Sequence, residues 1–205
     1  MKHARVLFVL DLSASMTGMK MHLLNSSMRT AVDTLRLEAS TIGTAEVWFG
    51  AIGFSTGARW LTDGFERVTT VQWTDVHAGG PTDMGSGIDL VTQYLETTAP
   101  VTETSLLIVL ATDGQATDDY PSALRRLLAN PRGCRAKRVA VCIGYDADAN
   151  ALELFTSPNT PVVYVRESDE WGTSAWGHGD EGQPVSPTTW KPSPKGPLQG
   201  IAPLV

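Results

Sequence analysis

The chain has two cysteines, Cys134 and Cys142, in 205 residues. No C-x-x-C pair or zinc-type cluster accompanies them, so a disulfide framework is excluded as the organising principle. Cys142 lies in an apolar run and reads as core, whereas Cys134 sits in a polar loop. Long hydrophobic runs are also missing: none approaches the roughly 20 residues that span a bilayer. The apolar segment behind Met1–Arg5 is too short for a signal peptide and ends in Asp11 instead of a cleavage site. The expectation is a cytoplasmic chain that does not engage a membrane. Positive charge is in deficit as well. A formal net charge of -6 and a pI near 5.1 argue against nucleic-acid binding, which needs a clustered basic surface. The sequence lacks the G-x-x-x-x-G-K phosphate loop and the G-x-S-x-G nucleophile elbow, which removes two common routes to catalysis.

What is present describes an ordinary globular domain, with 42% hydrophobic and 19% charged residues. Short apolar runs alternate with helix-like stretches, the signature of an α/β fold. Strands are expected over Arg5–Leu10, Glu46–Phe54, Ser105–Ala111, Arg138–Ile143 and Val162–Val165. A third strand, antiparallel, is expected from Arg59–Leu61 and Phe65–Val71 around the turn Asp63-Gly64. Helices are expected over Met19–Ala39, Met84–Leu95 (capped by Thr82 or Asp83), Tyr120–Leu128 and Asp148–Phe155. The fold class is a doubly wound, mostly parallel, Rossmann-like sheet of about six strands flanked by helices. Residues 1–167 form this domain. Residues 168–205 change composition to glycine, proline, serine and threonine with Trp171, Trp176 and Trp190 between them, and read as an extended tail without a core of its own.

Chemistry concentrates in three loops. Asp11-Leu12-Ser13-Ala14-Ser15 follows the first strand, and its alternate serines can converge on one point. Gly79-Gly80-Pro81-Thr82-Asp83 leads into a helix, and Ala111-Thr112-Asp113-Gly114 follows the most apolar strand. Open α/β sheets bind ligands at such strand ends, and hydroxyls with carboxylates suit hard divalent cations. Taken alone, the first loop is also a plain helix cap.

Together, D-L-S-A-S, G-G-P-T-D and A-T-D-G resemble the metal-ion-dependent adhesion site of von Willebrand factor A domains, across about residues 4 to 166. That resemblance implies that Asp11, Ser13, Ser15, Thr82 and Asp113 hold one divalent cation. The serines and threonine would bind directly and the aspartates often through water. Mg²⁺ is the expected ion, with Mn²⁺ and Ca²⁺ compatible with the same oxygens. The resemblance further implies a protein partner that supplies a Glu or Asp carboxylate to the metal. The run Ile52-Gly53-Phe54-Ser55 is similar to the bacterial tellurium-resistance TerY-like group, which implies kinase or phosphatase partners in stress or conflict systems.

The competing functions are a Mg²⁺-dependent phosphoryl-transfer enzyme and a scaffold subunit with an unused metal site. The enzyme is disfavoured because position 13 is serine where haloacid-dehalogenase-type phosphatases need a second acid, because no catalytic lysine partner is evident, and because no candidate histidine lies beside the loops. Further residues read as surface or capping groups: Asp118 and Asp119 as a helix start, Asp75 and His77 as rim side chains. The basic set Arg125, Arg126, Arg132, Arg135, Lys137 and Arg138 reads as exposed coating.

Overall fold

The structure, a computed structural model, describes residues 2–42, 45–99, 104–144 and 149–165. The tail expected over 168–205 lies outside the described residues, as does Asp148. The elements run β1 (Lys2–Asp11), α1 (Met19–Ile42), β2 (Ala45–Ser55), β3 (Gly57–Trp60), β4 (Glu66–Arg67) and α2 (Met84–Thr97). They continue with β5 (Thr104–Thr112), α3 (Tyr120–Ala129), α4 (Pro131–Arg135), β6 (Lys137–Ile143), α5 (Ala149–Phe155) and β7 (Val163–Val165).

The strands form one sheet in the order β3-β2-β1-β5-β6-β7, with β4 also paired to β2. The pairings of β1 with β2, β1 with β5, β5 with β6 and β6 with β7 are parallel. Consecutive residues of β1 feed opposite faces. Leu7 and Val9 join Ile52, Phe54, Ile108 and Leu110 on the side of α2, α3 and α5. Val6 and Leu10 join Phe49, Ala51, Leu107 and Ala111 on the side of α1. Burial on both faces explains the unbroken apolar run in the sequence. Each such Leu or Val side chain contributes about 1.5–3 kcal/mol.

Helix α1 lays Met21, Leu24, Met28, Val32 and Leu35 on its face of the sheet. Helix α2 approaches the other face so closely that a Cβ on Gly87 would stand 3.0 Å from Phe54 and 3.2 Å from Val9. A side chain at Gly87 would require Phe54 or Val9 to shift, so glycine favours that approach, which draws the start of α2 toward the ends of β1 and β2. Because β2 and β5 flank β1 on opposite sides, the chain leaves β1 at the point where the direction of winding reverses. Open α/β folds place a crevice there.

Two expectations need correction. The strand expected over 65–71 is reduced to β4, which pairs with Trp48–Phe49 of β2, while β3 pairs with Ile52–Ser55. Past Arg67 the chain turns inward: Val68 and Val71 are each 1% exposed beneath α1, where Arg36 donates to both their carbonyls. The second correction is α4, where a loop had been expected. Asn130 accepts from the amides of Arg132 and Gly133, and Pro131 begins the turn, a capping pattern present in the sequence. Cys134 is exposed on this helix and Cys142 is buried in β6, both as free thiols. Among the described residues no helix is long and apolar enough to cross a membrane.

Candidate metal centre

Strand β1 ends at Asp11, which is fully buried. The Ser13 amide donates to Asp11 Oδ1 at 2.8 Å, folding the loop back on its own carboxylate. A single 3₁₀ turn over Ala14–Met16 follows, anchored by the buried Met16. On the neighbouring strand the Thr112 hydroxyl donates to Asp11 Oδ2 at 2.5 Å and accepts from the Gly114 amide at 3.1 Å. Both Asp11 oxygens are therefore held by groups of this chain. Burial pushes the Asp11 carboxyl above its ordinary value; the bonds from Ser13 and Thr112 oppose that push, and the charge of Asp113 adds a smaller upward one.

The two serines converge as the sequence suggested. The Ser13 and Ser15 hydroxyls are hydrogen-bonded to each other at 2.9 Å, and Ser15 Oγ donates to Asp113 Oδ1 at 2.7 Å. The other Asp113 oxygen accepts from Lys20 Nζ at 2.5 Å. Thr82 arrives from the Gly79–Asp83 loop, which is held to its neighbours by main-chain bonds. Gly79 N donates to Leu12 O at 2.7 Å, and Ala14 N to Gly80 O at 2.9 Å. Asp83 N donates to Ser55 O at 3.0 Å, and Thr117 N to Thr82 O at 2.9 Å. Gly80 adopts a φ of +84°, and a Cβ there would stand 2.7 Å from Thr56 Oγ1, so the tight turn requires glycine. A point one bond off Gly114 lies 3.7 Å from Ser15 Oγ and 3.9 Å from Thr82 Oγ1. The three hydroxyls and two carboxylates named from the sequence are thus gathered at the ends of β1 and β5.

This donor set fits a hard divalent cation: all oxygen, two charges, three neutral hydroxyls. It is not a carboxylate cage. Among the described residues no group of three or more His, Cys, Asp or Glu could hold a metal, so the hydroxyls are essential to the fit. Two participants were not singled out from the sequence. Thr112 lay inside a quoted motif, and its place beside Asp113 at a strand end was the available signal. Lys20 gave none, because its pairing spans 93 positions, and its place on Asp113 corrects the expectation that no lysine accompanies the loops.

The acidic neighbours sort differently from expectation. Asp83 stands at the start of α2 but makes no capping bond there; its carboxylate accepts from the Gly57 amide and the Thr117 hydroxyl. The free amides of α2 are met instead by Asp118, which accepts from Gly85 N at 2.8 Å and Ser86 N at 2.9 Å. Asp119 caps α3 through the Ser122 amide. Replacing Asp118 with alanine is expected to cost about 1–2 kcal/mol, the range of a lost cap, read as a lowered denaturation midpoint. Cation affinity should also fall, since α2 carries Thr82 at its entrance.

At the rim, Asp75 pairs with Arg29, and His77 is exposed. The basic set is not a free patch. Arg126 binds Asp89, Arg132 donates to the Leu95 and Thr98 carbonyls, and Lys137 meets Thr160. Arg138 is 5% exposed, so its reading as surface coating is overturned. Its guanidinium donates to the carbonyls of Gly133, Cys134, Ala136 and Phe155.

A family model described as the von Willebrand factor type A domain matches residues 6–174. Among solved structures, the fold is similar to a von Willebrand factor type A protein from Catenulispora acidiphila, with a TM-score of 0.58 and 20% identity over 76% of this chain and 36% of that one. The ArnB paralog VWA2 from Sulfolobus acidocaldarius gives 0.60 and 18%, over 80% and 42%. Proximal thread matrix protein 1 from the mussel byssus, in a structure whose metal-ion-dependent adhesion site holds zinc, gives 0.57 and 21%, over 82% and 42%. The chain spans less than half the length of each of these three.

Proposed function

Since the chain belongs to the von Willebrand factor type A domain family, we propose that it is a metal-dependent protein-interaction module. In this reading Ser13, Ser15, Thr82, Asp11 and Asp113 hold one divalent cation. Mg²⁺ is the first choice, because it tolerates retained waters and few charged ligands; Mn²⁺ and Ca²⁺ accept the same donors. Zinc in the mussel relative's site argues for including Zn²⁺ in any titration. When bound, the ion supplies a Lewis-acidic point for a carboxylate from a partner's Glu or Asp.

The observation that carries this reading is the hydroxyl–hydroxyl–carboxylate chain Ser13–Ser15–Asp113, which joins two strand ends beside the Thr82 hydroxyl. The protein's own bonds do the positioning. Thr112 and the Ser13 amide fix Asp11, and main-chain bonds fix the Thr82 loop against Leu12 and Ala14. Such preorganisation lowers the ordering cost of binding. An interaction role is preferred to catalysis because, among the described residues, the bonds around the five run to hydroxyls, a main-chain amide and the Lys20 ammonium and not to a histidine, the commonest general base. The TerY-like run Ile52–Ser55 points to kinase or phosphatase partners in bacterial stress systems.

The test is calorimetric titration of Mg²⁺ and Mn²⁺ into chelator-treated protein, beside an Asp11→Ala, Ser13→Ala double variant. One ion bound by the wild type and none by a cooperatively melting double variant is the expected result. No binding by the wild type would overturn the reading.

A further inference from the structure

Lys20 lies in the first turn of α1, a position where a positive charge is disfavoured by the helix dipole. Its placement therefore does not serve the helix. The ammonium reaches Asp113 Oδ2 at 2.5 Å, with the lysine side chain 16% exposed and the aspartate side chain 1%. The other described ion pairs keep at least 27% of each side chain in solvent, the regime in which pairing contributes little. Gly144 shapes the passage for the lysine stem at the end of β6: with φ +91°, it presents backbone where a Cβ would be 3.2 Å from Lys20 Cε and 3.5 Å from Nζ. Through Ser15 on one oxygen and Lys20 on the other, both Asp113 oxygens accept a bond from this chain.

We propose that Lys20 is a tethered internal cation that competes with the divalent ion for Asp113. It balances the paired carboxylates of the metal-free site and sets the site's affinity below what the oxygen donors alone would give. The inference rests on the metal-centre reading above. Its physical basis is that a divalent ion and an ammonium a few ångströms apart repel strongly in a partly buried site. Metal entry therefore requires Lys20 to swing away from Asp113, which forfeits a partly buried charge-assisted hydrogen bond. The two effects are linked: whatever Lys20 gives to the metal-free state is subtracted from ion binding.

The experiment titrates Mn²⁺ calorimetrically into the wild type, Lys20→Met and Lys20→Arg, with melting curves in chelator and in saturating Mn²⁺. Lys20→Met is expected to bind Mn²⁺ tenfold or more tighter than wild type, to melt lower in chelator and to gain more from the ion. Lys20→Arg, which keeps the charge, should stay within about threefold of wild type. A second measurement needs no variant: acylation of the Lys20 amine, read by mass spectrometry, should rise several-fold when Mg²⁺ saturates the wild-type protein. Equal Mn²⁺ affinity in Lys20→Met and wild type, or labelling indifferent to Mg²⁺, overturns the competition and leaves the metal centre standing. Failure of both proteins to bind Mn²⁺ removes the metal centre itself, and this inference with it.

Discussion

Asp11→Asn is expected to cost roughly 100-fold in Mg²⁺ affinity, the upper end for groups that orient a metal's partners, while the metal-free protein melts no lower than wild type. The opposed outcomes follow from one side chain. Asp11 is fully buried, and burial raises its carboxyl above 3.8. The folded chain then holds that proton more tightly than the unfolded chain. The ionised side chain thus carries a stability cost, absent below 3.8 and accruing as pH rises through the raised value. Asparagine removes that cost at neutral pH. It can still accept from the Ser13 amide and, with its NH₂ as donor, meet the Thr112 oxygen. It lacks the charge that a cation needs. Melting in chelator across the acidic range checks the sign: any advantage of the variant should widen from low pH toward neutrality. A marked loss of metal-free stability in Asp11→Asn would show that the carboxylate serves the fold and not the ion.

Arg138→Met is expected to destabilise the domain by about 3–5 kcal/mol, because it strands buried acceptors without removing them. The guanidinium joins the end of α4, through Gly133 and Cys134, to the end of α5, through Phe155. Its own amide donates to Ser157 Oγ, and Ser157 N donates back to its carbonyl. Burial pushes Arg138 below its ordinary value, but a guanidinium stays charged, and four carbonyls solvate it in place of water. Thermal unfolding should shift downward by about 10 °C or more for a domain of this size. Arg138→Lys should recover only a part, since an ammonium cannot reproduce the planar fork. A shift of a degree or less would mean that water replaces the guanidinium at no cost.

The contrast between Asp11 and Arg138 shows what was legible in the sequence. That Asp11 and Asp113 come together was readable because each stands at the close of a strongly apolar strand. Ser13, Ser15 and Thr82 were singled out through the resemblance of the three loops to a family motif, since periodicity alone does not place Thr82, which precedes α2. The central strands were readable because burial on both faces leaves a run such as Val6–Leu10 without polar interruption. Arg138 was misread because charge predicts exposure unless partners are known, and its partners are carbonyls, which leave no trace in residue identity. Asp118 was misassigned for a related reason: it caps the helix 33 positions before it, not the one it precedes. The segment after Arg67 escaped because Val68 and Val71 satisfy a strand pattern equally well when they are buried beneath a helix.

The bonds that assemble the crevice have a temporal consequence. Ser15 meets Asp113 across 98 positions, and Thr112 meets Asp11 across 101, although β1 and β5 lie side by side. Contacts of such separation carry a large loop-closure penalty and form late when topology limits the rate. Strand β1 must await β5 before any ligand pair that bridges the two strands exists. Ion capture would therefore mark completed docking of those two strands, and a nascent chain that has not yet emerged past Asp113 would expose its serines with nothing to close upon.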